Sequence, residues 1–326
     1  MSNKELNKKQ NLDDRLSDLE KNFGLQRKPS TNKKIEKIRT GYFAFDYVID
    51  EIKLVEGGHR IELYGKESSG KSTFAHILAT TFQKLGKIVV WIVSEGFDEE
   101  WANHWGVDVD KMLFHYPEHC EDACDKIIEI APKVDLIIVD SVASIIPEAE
   151  LKKSMSEKTR GAQANVYSQF TRKFYKTTAH ENTTFVCINQ LREKMNVMYG
   201  NPETTPCGRA LRHLYSSRIE FKIGKPIDIG QGDKKVRIGT ELKLHGYKNK
   251  LGVSKRTSIV DFYFEDGRLD NKKSLLYAGI KYGVIDLSGK TYSYGKYKVV
   301  GKDKFKETLP EDIWLKIEKE VWDRIR

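Results

Sequence analysis

Continuous apolar runs alternate with amphipathic segments through the middle of the chain. The runs are rich in β-branched residues and lie at 88–93, 136–139 and 184–188. Such runs are typical of strands buried on both faces of a parallel sheet. The segments with helical periodicity that separate them lie at about 73–85, 120–131 and 161–181. This alternation predicts an α/β domain with a mostly parallel central sheet and helices on both faces.

The two ends of the chain depart from this alternation. Residues 4–22 have helical periodicity, and Gly24 is expected to end that helix. The polar, basic stretch 25–35 is typical of a linker. We therefore expect residues 1–34 to form an N-terminal helix and linker that precede the α/β core.

Beyond the third buried strand, the pattern predicts a change in the sheet. Three further strands are expected to extend it in antiparallel fashion, at 217–223, 237–244 and 257–265. The segments that follow have the patterns of a helix, a hairpin and an amphipathic helix, at 274–282, 292–299 and 309–326. We therefore predict a core at 35–268 and a small α/β domain at 269–326.

Composition and charge narrow the functional classes. With 326 residues the chain can bury a large core, and no apolar run approaches the roughly 20 residues of a membrane helix. Its N-terminus is polar and lysine-rich, unlike a secretory signal, so a cytoplasmic location with no membrane partner is expected. The net charge of +9 suits a nucleic acid partner, although a merely soluble basic surface would have the same charge.

The segment that follows the predicted strand at 59–64 is the most informative motif. It fits G-x-x-x-x-G-K-[ST], in which backbone N–H groups and a helix N-terminus surround phosphates. Lys71 is expected to reach the β- and γ-phosphates, and the Ser72 hydroxyl is expected to bind Mg²⁺. The motif therefore predicts that the chain binds a nucleotide together with Mg²⁺. The expected phosphate-binding residues are Gly65, Lys66, Glu67, Ser68, Ser69, Gly70, Lys71, Ser72 and Thr73.

Polar residues end each buried strand, at the sheet edge where open α/β folds bind ligands. Asp140 follows an apolar run in the Walker-B arrangement and is a candidate Mg²⁺ ligand beside Ser72. Glu95 is placed to orient water for attack on the γ-phosphate. Gln190 offers a neutral amide that can sense the γ-phosphate and act on the segment that follows it.

That following segment, 191–209, lacks periodicity and contains two prolines. A long structureless stretch inside a compact domain is usually functional. Basic side chains are mixed with apolar and aromatic ones in it, which favours single-stranded nucleic acid because cations hold phosphates while apolar groups stack on bases. The segment 152–161 is a second candidate, although it is also consistent with a solvated lysine-rich turn.

With these motifs in place, the chain resembles the bacterial RecA recombinases from about residue 12 to 326. Residues 65–73 are similar to the family's P-loop, the first of its two Walker motifs. The second Walker motif is similar to Ile138-Val139-Asp140-Ser141-Val142-Ala143. The most specific similarity is Ile188-Asn189-Gln190-Leu191-Arg192, followed by Val197-Met198-Tyr199-Gly200-Asn201-Pro202-Glu203-Thr204-Thr205. This matches the family's second DNA-binding loop.

The resemblance implies a fold and an activity. The fold would be a RecA-type P-loop ATPase core with an N-terminal polymerisation helix and a small C-terminal α/β domain. The protein would form helical homo-oligomeric filaments on single-stranded DNA, pair it with homologous duplex DNA and exchange strands. Single-strand-binding and loader proteins are further expected partners. The sequence leaves a bacterial or a phage origin open, so the expected compartment is the bacterial or host cytoplasm.

The resemblance also assigns roles to residues. Glu95, Lys71 and Gln190 would act on ATP in one subunit, while Lys248 and Lys250 would reach it from the next. Asp98 and Trp101 match the adenine-contacting positions, with Trp101 in place of a tyrosine. The implied DNA-binding residues are Arg160, Gly161, Ser168, Arg172, Arg192, Lys194, Met198, Cys207, Gly208 and Arg209.

The sequence departs from the family pattern at two positions that bear on function. Cys207 stands where the family usually has glycine, and its Cβ is expected to restrict close backbone approach to phosphate. His213 replaces a phenylalanine that helps to couple ATP binding to DNA binding.

Two other functions compete with this interpretation. They are a RecA-fold DNA motor and a filament-forming regulator or co-protease scaffold. Intact Lys71, Glu95 and Asp140 favour an active ATPase.

Overall fold

The computed structural model describes residues 3–24, 35–154, 157, 161–193, 203–230 and 232–326. They belong to two units, Met1–Glu36 and Lys37–Arg326. The described part of the first unit includes the helix α1, Asn3–Phe23, and the first residue of β1. The helix ends at Gly24 as predicted, and Gly24 has the left-handed conformation (φ 64°). No helix in the described ranges is both long and apolar enough to cross a membrane.

The second unit alternates strands and helices. Its strands are β1 (Glu36–Ile38), β2 (Ile52–Leu54), β3 (Arg60–Gly65), β4 (Val89–Val93), β5 (Leu113–His115), β6 (Leu136–Asp140), β7 (Thr184–Gln190), β8 (Arg192–Glu193), β9 (Glu203–Thr204), β10 (Ser217–Ile229), β11 (Val236–Asn249), β12 (Thr257–Tyr263), β13 (Arg268–Asp270), β14 (Asp286–Ser288), β15 (Thr291–Tyr294) and β16 (Tyr297–Val300).

The helices of this unit connect and cover the strands. They are α2 (Phe43–Ile49), α3 (Lys71–Lys84), α4 (Glu99–His104), α5 (Cys120–Ile130), α6 (Glu148–Leu151), α7 (Ala162–Thr177), α8 (Gly208–Leu214), α9 (Lys272–Lys281), α10 (Lys302–Thr308) and α11 (Glu311–Ile325).

A large sheet organises these elements in the order β13-β12-β11-β10-β3-β7-β6-β4-β5. The strands from β10 to β5 are parallel to their neighbours, whereas β11, β12 and β13 join in antiparallel fashion. The predicted α/β fold with a mostly parallel sheet is confirmed. The antiparallel extension begins one strand later than expected, because β10 pairs in parallel with β3.

Both faces of this sheet are buried, which explains the continuous apolar runs. In β4, Val89, Trp91 and Val93 belong to one hydrophobic cluster, while Val90 and Ile92 belong to another. The first cluster includes residues of α2, α3, α9 and α11, and the second includes residues of α5, α7 and α8. Since side chains alternate between faces along a strand, an apolar residue is required at every position.

The C-terminal segment packs onto the first of these clusters. The amphipathic helix α11 contributes Trp314, Ile317, Val321 and Trp322 to it. The predicted hairpin is present as β15 and β16, which form a three-stranded sheet with β14. The division into domains at 34 and 268 stays a prediction.

Phe221 joins the sheet to the helix that follows the phosphate loop. Its side chain is 1% exposed and packs against Phe74 of α3, with ring centroids 5.3 Å apart. We expect Phe221→Ala to lower the free energy of unfolding by about 3–5 kcal/mol, because it leaves a cavity in the core. Denaturant titration of both proteins measures this change.

Ile223→Ala is the matched control, because Ile223 lies on the same strand with 53% of its side chain exposed. Its expected effect is within about 0.5 kcal/mol. Equal losses in the two variants would contradict the assignment of Phe221 to the core.

Candidate functional site

The phosphate-binding motif forms a sharp turn between β3 and α3. Gly65 is the last residue of β3, and Gly70, in the left-handed conformation (φ 91°), precedes the first turn of α3. A Cβ on Gly65 would collide with the Phe221 carbonyl oxygen, and one on Gly70 would lie 2.8 Å from Leu242. Both positions therefore require glycine. A cavity of about 260 Å³ lies at this turn, lined by Ser68, Ser69, Gly70, Lys71, Ser72, Thr73, Leu242 and Phe262.

Lys71 lies at this cavity with its side chain largely buried. Its Nζ donates to the carbonyl oxygen of Lys66 at 2.7 Å. Burial lowers the pKa of Lys71, and the nearby carboxylates of Asp140 and Glu95 partly oppose that shift. Phosphate oxygens are stronger acceptors for this ammonium than a backbone carbonyl, because they are charged.

The two candidate Mg²⁺ ligands lie in direct contact. The Ser72 hydroxyl donates to Oδ2 of Asp140 at 2.9 Å. Burial raises the pKa of Asp140 to about 6, and the hydrogen bond from Ser72 opposes this shift. A hydroxyl and a carboxylate are hard oxygen donors of the type that Mg²⁺ prefers.

Glu95 follows β4 and meets the ends of two other strands. Its Oε1 accepts hydrogen bonds from Gln190 Nε2 at 3.0 Å, from Ser141 Oγ at 2.5 Å and from Ser144 Oγ at 2.7 Å. The structure thus brings together Glu95 and Gln190, as the sequence predicted from their places at strand ends. Ser144 was missed, because a serine four residues after the Walker-B Asp140 carries no recognised signal.

The lysine and glutamate inside the phosphate loop are exposed. Lys66 Nζ lies 3.9 Å from Oε1 of Glu203, which begins the short strand β9. The charge of Glu67 acts to raise the pKa of Lys71, against the effect of burial. Lys66 therefore connects the phosphate loop to one end of the segment predicted to bind DNA.

The predicted adenine contacts lie on the first turn of α4. The Asp98 carboxylate caps this helix by accepting from the Trp101 backbone N–H at 2.9 Å. The Trp101 ring stacks on His104 with centroids 5.0 Å apart, and it leaves no room for a Cβ on Gly267. Asp98 and Trp101 do not line the cavity at the phosphate loop.

The two lysines predicted to act on a neighbouring subunit lie at the end of β11. Lys248 Nζ donates to the carbonyl oxygen of Arg212, in the last turn of α8, at 3.0 Å. The pKa of Lys248 is lowered to about 8, first by burial and then by the positive charges of Lys250 and Arg218. Lys250 is exposed.

The predicted DNA-binding residues fall into two groups. Arg160, Lys194 and Met198 lie outside the described residues. Of the others, Gly161 precedes α7 in the left-handed conformation (φ 77°), and Arg172 Nη1 donates to Ser168 Oγ on that helix at 3.2 Å. Arg192 and Arg209, near the two ends of the segment 191–209, are exposed.

The two described ends of the segment 191–209, called the loop below, are held together. β8 and β9 pair in antiparallel fashion, with Arg192 opposite Thr204. At the far end, Cys207 adopts a left-handed conformation (φ 68°), and its buried thiol donates to the Val142 carbonyl oxygen at 3.4 Å. A Cβ on Gly208 would lie 2.9 Å from Ala164 of α7. The Cys207 side chain thus points into the core.

A buried ion pair that the sequence did not reveal joins β3 and β10. Arg218 of β10 forms a salt bridge with Glu62 of β3, whose side chain is fully buried. Glu62 also accepts from Asn189 Nδ2 at 2.9 Å, and Arg218 donates to the Thr205 hydroxyl at 3.2 Å. These contacts connect the residue before Gln190 to the far end of the segment predicted to bind DNA.

Comparison with known proteins agrees with this geometry. Residues 10–268 match the family model described as the RecA N-terminal domain. The chain is 36% identical to Protein RecA of Thermus aquaticus over 317 residues, which cover 94% of this chain and 91% of that protein. It is 35% identical to Protein RecA of Lactococcus lactis subsp. cremoris over 328 residues, covering 95% and 82% of the two chains. Protein RecA of Thermus thermophilus is also 35% identical, over 314 residues that cover 93% and 90% of the two chains.

The ion pair between Glu62 and Arg218 allows a test of the site's framework. Arg218→Met would leave the Glu62 carboxylate buried without its cation, and we expect a loss of about 3–5 kcal/mol in the free energy of unfolding. The double variant Glu62→Met/Arg218→Met removes both charges and should recover most of that loss. Denaturant titration of the three proteins measures the effect. A double variant as unstable as Arg218→Met would contradict the role of the pair.

Proposed function

The chain belongs to the RecA family, and we propose that it is an ATP-dependent recombinase that forms filaments on single-stranded DNA and catalyses homologous pairing and strand exchange. A cytoplasmic location, and single-strand-binding and loader proteins as partners, belong to the same proposal. The observation that carries it is the hydrogen bond between Glu95 and Gln190. This bond joins the candidate hydrolytic residue to the strand that leads into the candidate DNA loop.

The residues at the phosphate loop fit ATP with Mg²⁺. Gly65 and Gly70 occupy positions where a side chain would collide with the sheet, and the cavity beside them is lined by Lys71 and Ser72. Lys71 would hold the β- and γ-phosphates, and Ser72 with Asp140 would hold the cation. When bound, Mg²⁺ would neutralise charge on the phosphates.

Glu95 is the residue that would activate water. Its side chain is exposed, while Oε1 is fixed by donors from two other strand ends. A carboxylate held in one orientation can accept a proton from water as it attacks phosphorus. We assign Glu95 the role of orienting this water.

Gln190 and the strands β8 and β9 would couple this chemistry to DNA. Gln190 is the last residue of β7, and β8 begins two residues later. A movement of the loop on DNA binding would therefore act directly on the bond between Gln190 and Glu95. Exposed Arg172, Arg192 and Arg209 would contribute phosphate contacts.

Filament formation would use surfaces that are exposed in a single chain. The helix α1 carries apolar side chains with exposed fractions of 55% at Leu12, 43% at Leu19 and 71% at Phe23. A neighbouring protomer would cover such residues. Lys248 would leave the Arg212 carbonyl and contact ATP bound to that neighbour.

Hydrolysis of ATP in the presence and absence of single-stranded DNA tests this proposal. We expect DNA to stimulate hydrolysis strongly, and Glu95→Gln to reduce the stimulated rate by about 10²–10⁴-fold, because the amide cannot accept a proton from water. Binding of nucleotide by Glu95→Gln should stay within twofold of the wild type (about 0.4 kcal/mol). Hydrolysis that is independent of DNA, or unaffected by the substitution, would refute the proposal.

The lowered pKa of Lys248 predicts a pH dependence of filament assembly. Contact with phosphate requires the ammonium form, so assembly should weaken as the pH rises through about 8, where the free protomer loses that proton. Lys248→Arg keeps its charge and should assemble equally well from pH 7 to 9. Light scattering across this range measures assembly.

Lys250→Arg is the matched control for this experiment and should retain the decline of the wild type. Identical pH profiles for the wild type and Lys248→Arg would show that Lys248 does not contact phosphate during assembly.

The competing motor interpretation predicts closed rings. Negative-stain electron microscopy with ATP and single-stranded DNA distinguishes the two, since the recombinase proposal requires open helical filaments. A filament without ATP hydrolysis would instead favour the scaffold interpretation.

A further inference from the structure

Three donors converge on one oxygen of Glu95, and one of them has no assigned role. Gln190 and the Walker-B residue Ser141 supply two of these bonds, and Ser144 supplies the third at 2.7 Å. Ser144 lies in the turn that follows β6 and is only partly buried. Its hydroxyl thus reaches Glu95 from a turn, whereas Gln190 reaches it from the end of a strand.

The Ser144 hydroxyl has a single proton and more than one acceptor. It lies 2.7 Å from the Glu95 carboxylate, 2.8 Å from Ser141 Oγ, 3.1 Å from the Ser141 carbonyl oxygen and 3.3 Å from Ser94 Oγ. Hydrogen bonds to charged acceptors are shorter and stronger than those to neutral ones, so the carboxylate takes this proton. The Ser141 carbonyl already accepts from Ser94 Oγ at 2.8 Å.

The distribution of these bonds over the two carboxylate oxygens is asymmetric. Ser141, Ser144 and Gln190 all donate to Oε1. Among the described residues, none is seen to donate to Oε2. The carboxylate is thus anchored through one oxygen, and the other is left to accept a proton from water.

We infer that Ser144 is a positioning residue for ATP hydrolysis, which fixes the Glu95 carboxylate so that Oε2 meets the attacking water. This inference rests on the proposed function. Ser144 is one of three donors to Oε1, with Ser141 and Gln190. It touches Glu95 and not the reacting atoms, so its effect should appear in turnover and not in nucleotide binding.

The test compares Ser144→Ala with Ser144→Thr in DNA-stimulated ATP hydrolysis. Loss of one hydrogen bond to a charged group should lower kcat roughly tenfold in Ser144→Ala, with KM for ATP unchanged. Ser144→Thr retains a hydroxyl and should restore kcat to within about twofold of the wild type. Thermal stability and single-stranded DNA affinity should be the same in all three proteins.

Ser94→Ala is the matched control. It removes a hydroxyl from the same cluster, which donates to the Ser141 carbonyl oxygen at 2.8 Å, lies 3.3 Å from Ser144 Oγ and makes no hydrogen bond to Glu95. We expect kcat to change by less than about twofold, since the three bonds to Oε1 remain. A tenfold loss in this variant would overturn the inference, because it would show that any hydroxyl of the cluster has the same effect.

The remaining outcomes separate this inference from the proposed function. A wild-type protein that hydrolyses ATP with DNA stimulation, together with an unchanged kcat in Ser144→Ala, would overturn the inference alone. Parallel losses of kcat, ATP affinity and thermal stability would also overturn it, since they indicate a structural role. A wild-type protein without any hydrolysis would overturn both.

Discussion

The candidate site depends on the parallel alignment of β3, β7, β6 and β4. Parallel strands end at the same edge of a sheet, so residues distant in sequence meet there. Gly65 at the end of β3 pairs with Gln190 at the end of β7, and Val93 pairs with Asp140 across β4 and β6. This register sets the phosphate loop beside Gln190, and Glu95 beside the residues that follow Asp140.

The same register connects Glu95 to both described ends of the loop 191–209. β7 is the central element of this connection, because its last residue bonds to Glu95 and its preceding residue, Asn189, bonds to buried Glu62. Glu62 holds Arg218, which in turn contacts Thr205 at the far end of the loop. Both ends of the loop are thus attached to the strand that contacts Glu95.

How much of this could be predicted from sequence differs from feature to feature. The turn between β3 and α3 and the buried runs were predicted correctly, because the phosphate-loop pattern and a two-faced sheet each constrain neighbouring residues in the chain. The Glu62–Arg218 pair was not, since its partners are 156 residues apart and either one looks like an ordinary charged residue within a strand. Ser144 and the contact between Lys248 and Arg212 were missed for the same reason, because tertiary folding alone brings them to their partners.

The central claim is that nucleotide and DNA sites are coupled for strand exchange. Its most direct measurement is a three-strand reaction between circular single-stranded DNA and linear duplexes that are either homologous or unrelated, with and without ATP. We expect joint molecules and displaced strands only with the homologous duplex and only with ATP. ATP hydrolysis stimulated by single-stranded DNA, without any joint molecules on the homologous duplex, would contradict it.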